Sequence, residues 1–503
     1  MKVQIGFFNN NHMTSKTNKM IGKWIDKGLS VIYIFLGSDV LRIIILILIS
    51  GMFILTPTKR SIIDQGKACD QITKTGGSSA EKIEYLTKVT EKYPWRYDIW
   101  ECKAGIEFQS GYWESSINDY LKADAEGGIS IQSRTNLGTA YFEVGQEQTA
   151  GEVWQVVLEE NPEQYQLYDQ LIPVLKDGKD FVELEQILGQ WLEGQNKNPE
   201  PAFQLGLFKS LNEFDEAVLY LSQAVQLGSD HNEEIEKILE AINIATLYES
   251  RSTQLRVVGQ ALGSIDEWQL AQQAFEDSIK MNPLDAEAWA LLGEAKQHNE
   301  SGNGYSALSK AIDLNPESIL VRSLTAIYYR RQAEYEIALS YISELAVDEP
   351  GNYIWQIEWG DVLMEIGYPI DAMRHYQLAV ELNSEKAETW AALAKCSVSN
   401  NIDVINIGIP AARKAVILEE NNPAYIDLLG LSLMLGEDMA SAERAFIHAT
   451  IVDPTYIPAY LHLGQYYLLN GEKDLAYQYV RMVIESEHTE PNIKTIAEKM
   501  LDR

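Results

Sequence analysis

The feature that most constrains the fold of this chain is a 34-residue spacing that recurs from about residue 80 to residue 490. Small, aromatic and proline residues return at this interval at several unlinked places. The pairs are Gly111 and Gly145, Tyr120 and Trp154, Pro316 and Pro350, Ala338 and Ala372, and Ala442 and Ala476. A period of this length indicates an array of helix pairs, because one pair cannot bury its apolar faces without neighbours.

The phase of the period resembles the tetratricopeptide repeat family, whose pattern is W-x2-L-G-x2-Y, then A-x3-F, then proline. The matching residues of the best-fitting repeat, 457–490, are Tyr460, Leu463, Gly464, Tyr467, Gly471, Ala476, Val480 and Val483. Residues 131–164 carry Leu137, Gly138, Tyr141, Gly145, Ala150, Trp154 and Pro162. The resemblance implies an all-α fold, a helix-turn-helix superhelical solenoid, in which the first helix of each pair lines a concave surface.

The landmarks and the departures from them divide the chain into seven parts. We predict a short basic, interfacial segment over 1–39, a transmembrane anchor over 40–56, a linker over 57–79, an N-terminal array over 80–228, a phase break with one extra helix over 229–251, a C-terminal array over 252–490 and a capping helix over 491–503. The phase break is consistent with two stacks joined by a hinge. A short insertion lies at 397–410.

The anchor is predicted from an uncharged, strongly apolar run within residues 40–56, about the lower limit for a membrane-crossing helix. A longer, tilted helix from about residue 29 is the alternative span. A buried core helix and a cleaved signal peptide are less favoured, because no A-x-A cleavage site follows the run. More basic residues precede the run than follow it closely, which places the N-terminus in the cytoplasm and the array on the non-cytoplasmic side.

The charge distribution excludes one class of partner. The 503-residue chain has a formal net charge of −32, and residues 1–60 carry +6, so the remainder carries −38. A body this acidic repels phosphates, and we expect no nucleic-acid role. It favours basic partners.

The sequence contains no recognisable reaction or metal-binding motif, so we predict no enzymatic activity, no cofactor and no metal site. Among the three cysteines, Cys69 is expected to be accessible in the linker and able to pair with another chain. Cys102 and Cys396 are expected to be small buried apolar groups.

The resemblance and the anchor together predict a membrane-anchored protein-interaction scaffold or assembly factor. Its partners would be proteins of a membrane or envelope complex, and residues 40–56 would contact the lipid bilayer. The alternative is a non-catalytic partner or fragment of a polysaccharide ligase or glycosyltransferase system, since some such enzymes carry similar repeats after their last membrane helix.

The candidate binding residues occupy first-helix positions that line the concave face in the family this chain resembles. They are Arg330, Arg331, Ile357, Asp361, Glu365, Leu461, Gln465 and Leu468. The two arginines are candidates for gripping a partner carboxylate. Alternatively they only complement the C-terminal dipole of their helix, and Leu468 only packs against the cap. Replacing both arginines by Glu is expected to change stability by less than about 0.5 kcal/mol. The Lys and Asn pattern of carboxylate-clamp co-chaperones is absent.

Overall fold

The computed structural model of the protein describes residues 69, 77–195, 197–299, 304–486 and 489–501, and all regular structure in these ranges is helical. The helices of the first part are α1 Ser79–Lys92, α2 Tyr97–Gln109, α3 Trp113–Gly127, α4 Ile131–Glu143, α5 Glu147–Glu160, α6 Gln166–Asp177, α7 Phe181–Gly194, α8 Pro199–Lys209, α9 Phe214–Gln226 and α10 Asn232–Ala245. They are followed by α11 Arg251–Gly263, α12 Trp268–Met281, α13 Ala286–His298, α14 Tyr305–Leu314, α15 Ile319–Arg331, α16 Tyr335–Asp348, α17 Tyr353–Glu365, α18 Pro369–Leu382 and α19 Ala387–Ser399. After a π-helical segment, Val404–Gly408, come α20 Ile409–Leu418, α21 Pro423–Leu435, α22 Met439–Val452, α23 Ile457–Leu469, α24 Lys473–Glu485 and α25 Pro491–Leu501. The prediction of an all-α fold is confirmed.

Both ends of the described array follow from local sequence. The Ser78 hydroxyl accepts a hydrogen bond from the Glu81 backbone N–H at 3.3 Å, while the Ser78 N–H donates to the Glu81 carboxylate at 3.1 Å. This capping box fixes the start of α1. At the other end, α25 packs on α24 and buries Ala497 and Met500.

The helices pack as consecutive pairs, and a glycine of the first helix lies against a ring of the second. The glycine precedes the ring by sixteen residues in each case: Gly138 and Trp154, Gly259 and Phe275, Gly360 and Tyr376, and Gly430 and Phe446. A Cβ atom added to Gly138 would lie 2.4 Å from Trp154 Nε1. Only a residue without a side chain therefore allows the two helices to approach this closely, which explains the glycine landmark of the period.

The insertion at 397–410 departs from the helix pairs. Asn401 and Asp403 both have positive φ angles, 52° and 43°, and the π-helical segment follows directly. The Ser397 hydroxyl donates to the Ile402 carbonyl at 2.6 Å and ties this irregular stretch to α19. The extra residues are thus absorbed between the two helices of one pair.

The described chain forms two compact units, one ending at Gly194 and one beginning at Gln195. Each unit is a helical solenoid. The division lies earlier in the chain than the 229–251 phase break, where the sequence suggested a hinge. That break contains the single helix α10 within the second unit.

The described helices include none with the length and apolar character needed to cross a bilayer. The predicted anchor at 40–56 and the basic segment before it lie outside the described residues.

The expectation for two cysteines is wrong. Cys69 and Cys102 form a disulfide within the chain, with their Cα atoms 5.9 Å apart. Cys102 lies on α2 beside Leu86 and Ile99, so the bond ties the chain before the array to its first helix pair. Cys396 is a buried free thiol, and burial raises its pKa to about 11.

Candidate protein-interaction surface

Four of the predicted residues lie together in one groove. Arg330 lies in the last turn of α15. Ile357, Asp361 and Glu365 stand four residues apart along one face of α17. Lys395 and Ser399 of α19 form the opposite wall. The groove has a volume of about 330 Å³, and we call it the α15–α17–α19 groove.

Arg330 is bound by three carboxylates of α17. Its guanidinium donates from NH1 to Glu358 at 2.9 Å, and from Nε and NH2 to one oxygen of Glu365 at 3.0 and 2.8 Å. Asp361 lies 3.5 Å from NH2, and its other oxygen accepts a hydrogen bond from the buried Tyr376 hydroxyl at 2.6 Å. Arg330 therefore holds two neighbouring first helices together, and its N–H groups are engaged within the chain.

The electrostatics of the cluster reflect a balance between burial and charge. Burial alone would lower the pKa of Arg330, but the hydrogen bond to Glu365 and the charges of Glu358 and Asp361 raise it overall. Burial raises the pKa of Glu358, while Arg330 opposes that rise. Removal of the arginine would therefore leave α17 with repelling carboxylates that have no counter-charge.

Arg331 faces the opposite neighbour. Its guanidinium forms a bidentate salt bridge with Glu294 of α13, with both N···O distances 2.9 Å, and lies 3.3 Å from His298 Nε2. His298 in turn stacks on Trp268 with ring centroids 3.8 Å apart. The two arginines, adjacent in sequence, thus bind acids on different neighbours, and do more than complement the dipole of their own helix.

A family model described as a tetratricopeptide repeat matches residues 259–296, which run from α11 through α12 into α13. Helix pairs before and after this match, at Gly138, Gly360 and Gly430, have the same glycine-to-ring contact as Gly259.

Two curated proteins are similar to parts of this chain. A TPR repeat-containing protein of Methanocaldococcus jannaschii is 21% identical over 327 residues, which are 62% of this chain and 56% of that protein. The formate-dependent nitrite reductase complex subunit NrfG of Escherichia coli O157:H7 is 29% identical over 119 residues, 23% of this chain and 60% of that subunit. The chain therefore spans about half the length of the first of these relatives.

Two solved structures are similar over most of the chain. The Cut9–Hcn1 hetero-tetramer of the APC/C has 15% identity and a TM-score of 0.44, covering 84% of this chain and 86% of that chain. Yeast Tom70 has 14% identity and a TM-score of 0.40, covering 82% of this chain and 96% of that chain.

Ion pairs and polar bonds between first helices of successive helix pairs recur along the second unit, and sequence reasoning did not find them. Arg256 of α11 binds Glu287 of α13 at 2.5 Å, Tyr353 of α17 binds Glu388 of α19 at 2.5 Å, and His462 of α23 binds Asp427 of α21 at 2.8 Å. Partners in this ladder stand about one repeat apart. Opposite charges at that separation are the signal that would have revealed it.

The remaining predicted residues lie at the C-terminal cap. Gln465 and Leu468 line a second groove of about 400 Å³ with Leu469 and two residues of α25, Ile496 and Lys499. Leu461 does not reach this surface. It is 6% exposed, because it packs in the core between α23, α24 and α25. The prediction that Leu461 lies on the binding face is therefore wrong, because its side chain is in the core.

No three His, Cys, Asp or Glu side chains among the described residues are arranged to hold a metal ion.

Replacing Arg330 by Met is expected to destabilise the second unit by about 1–3 kcal/mol at neutral pH. Removing one partner of a buried ion pair costs about 3–5 kcal/mol, and we reduce that figure because the Arg330 side chain is 26% exposed. The variant raises the pKa of Glu358 further, so the folded state binds more protons than the unfolded state. Its deficit should therefore shrink as the pH falls through the range where carboxyl groups titrate.

Urea denaturation at pH 7.5 and pH 5 measures both effects. The matched control is Arg374→Met, since Arg374 is 72% exposed and, among the described residues, pairs with Asp371 of its own helix alone; a change within about 0.5 kcal/mol is expected there. Equal, small changes in the free energy of unfolding for the two variants would show that Arg330 behaves as an exposed charge, as the sequence analysis expects.

Proposed function

We propose that this protein is a membrane-anchored interaction scaffold whose first-helix face binds a protein partner. The observation that carries the proposal is the α15–α17–α19 groove, in which residues of three successive repeats converge on one surface. Apolar side chains, Ile357 and Met364, and charged side chains, Asp361 and Glu365, lie side by side there. A mixture of this kind suits recognition of a protein segment by both packing and charge.

The second groove, at the cap, offers a complementary contact. Leu469 is 70% exposed and Ile496 is 47% exposed, and the two lie together in the lining of this groove. A partner that extends along the first helices from α17 to α23 would bury both grooves. We assign the cap groove the apolar part of that contact.

We further propose that residues 40–56 anchor the chain and that the array lies on the non-cytoplasmic side. The excess of basic residues before the apolar run supports this orientation. The disulfide between Cys69 and Cys102 supports it independently, because such bonds persist in oxidising compartments and are rare in the cytosol.

Recovery of partners from detergent-solubilised membranes tests the binding surface. We would compare the full chain with an Ile357→Asp variant and with an Ile451→Asp control, since Ile451 is 69% exposed on a second helix. Loss of a specific partner from the first variant alone is expected. Equal recovery with both variants, at unchanged stability, would remove the groove as the binding site.

Protease added to intact spheroplasts tests the orientation. Digestion of the array without lysis is expected. Full protection until lysis would reverse the proposed topology.

A further inference from the structure

Acidic side chains of α17 meet basic side chains of α15 and α19 at the α15–α17–α19 groove. Helix α17 carries three acids, Glu358, Asp361 and Glu365, and no basic residue. Its counter-charge comes from Arg330 of α15, while Lys395 of α19 stands on the opposite wall. Asp361, Glu365, Arg330 and Lys395 line the groove, and Glu358 pairs with Arg330 outside that lining, so these five side chains together carry a net charge of −1.

The donors of Arg330 are used within the chain, whereas the acceptors of the groove are not saturated. Both nitrogens of Arg330 nearest Glu365 bind the same oxygen, Oε1. Asp361 Oδ2 has only the long, 3.5 Å contact with Arg330. An incoming carboxylate could reach Arg330 only by displacing one of its bound acids, which leaves Lys395 on the opposite wall as its cationic partner, beside Asp361 and Glu365. An incoming cation meets oxygen atoms that retain acceptor capacity.

The walls beside these oxygens are apolar. Ile357, Met364 and Ala392 line the groove next to the carboxylates. A Lys or Arg side chain has an aliphatic stem of three or four methylene groups behind its charged end, and such stems pack on apolar surface while the charge stays at the polar end. A volume of about 330 Å³ lies at the low end of the range for ligand sites, which suits one or two side chains rather than a helix.

The charge of the whole unit acts in the same direction. Residues 195–503 contain 22 Lys and Arg residues against 47 Asp and Glu residues, a net charge of −25. A field of this sign raises the association rate of a basic segment and lowers that of an acidic one.

We propose that the α15–α17–α19 groove binds a Lys or Arg side chain of the protein partner, with Asp361 and Glu365 as the receiving carboxylates and Ile357 and Met364 against the stem. The proposal rests on the proposed interaction function and replaces the carboxylate that the sequence analysis expected Arg330 and Arg331 to bind with a basic side chain. Arg330 acts as a positioning residue, because it holds the carboxylates of α17 in place and does not itself contact the partner.

Selection of random twelve-residue peptides displayed on phage, against the detergent-solubilised full chain, tests the proposal without knowledge of the partner. Peptides whose binding is lost on the Ile357→Asp variant are the ones that use the groove. We expect a shared Lys or Arg among them. In a resynthesised peptide, replacing that residue by norleucine, which keeps the stem and removes the charge, should weaken binding at least about tenfold.

The protein side of the test is Glu365→Gln, which keeps the shape of the side chain. A loss of about tenfold is expected for the basic peptide, and none for Glu381→Gln, which removes the same charge from an exposed position on α18. Groove-dependent peptides that share Asp or Glu instead would overturn the assignment of a basic ligand while leaving the interaction function intact. Peptides that bind equally to the Ile357→Asp variant would overturn the groove as a binding site.

Discussion

Replacing Trp154 by alanine is expected to lower the free energy of unfolding of the N-terminal unit by about 3–5 kcal/mol. Trp154 is 1% exposed and fills the space between α4 and α5, where it lies directly against Gly138. Its indole N–H also donates to the Thr135 carbonyl at 3.4 Å. Truncation therefore leaves a cavity that the backbone of α4 cannot fill, together with a lost hydrogen bond.

Hydrogen exchange with mass spectrometry on the full chain is the suitable measurement, because repeat arrays open locally and a single transition need not describe both units. Faster exchange is expected in peptides from 131–160. The control is Trp95→Ala, since Trp95 is 60% exposed and makes only an edge contact with Tyr93 at 5.7 Å between centroids. A cost below about 1.5 kcal/mol is expected for that control. Equal effects would mean that Trp154 does not hold the pair together.

The parts of the fold that sequence predicts are those that depend on local chemistry repeated many times. The glycine landmark at Gly138 marks a helix pair because only glycine lets the backbone meet a ring, and the same requirement returns at Gly259, Gly360 and Gly430. The start of α1 follows from Ser78 and Glu81, three residues apart. Such features need no knowledge of how distant helices are rotated.

The charge contacts of the groove depend on that rotation, and sequence reasoning therefore missed them. Arg330 is in the last turn of α15, which made it resemble a free cation at a helix end. Its partners stand 28, 31 and 35 residues later, on the face of α17 that turns toward α15. Leu461 shows the converse, since the position that is half-buried at Ile357 is covered by the cap α25 in the last helix pair.

Replacing Cys69 and Cys102 together by Ser is expected to lower the stability of the first helix pair by about 3–4 kcal/mol. The bond spans 33 positions of sequence, and closing a loop of that length removes conformational entropy mainly from the unfolded chain. Helix α1 has neighbours on one side only within the described array, so it gains most from the covalent tie to α2. Thermal unfolding of the oxidised wild type and of the double variant gives the difference.

A reductant separates the bond from other effects of the substitution. Dithiothreitol should bring the wild type to the stability of the double variant and should leave the double variant unchanged, because its remaining cysteine, Cys396, is a free thiol. Alkylation of the unfolded, unreduced chain should then modify one of the three cysteines. Modification of all three cysteines in protein taken from its native compartment would contradict the disulfide, since a reducing compartment keeps thiols reduced. It would also remove the support that the disulfide gives to a non-cytoplasmic array.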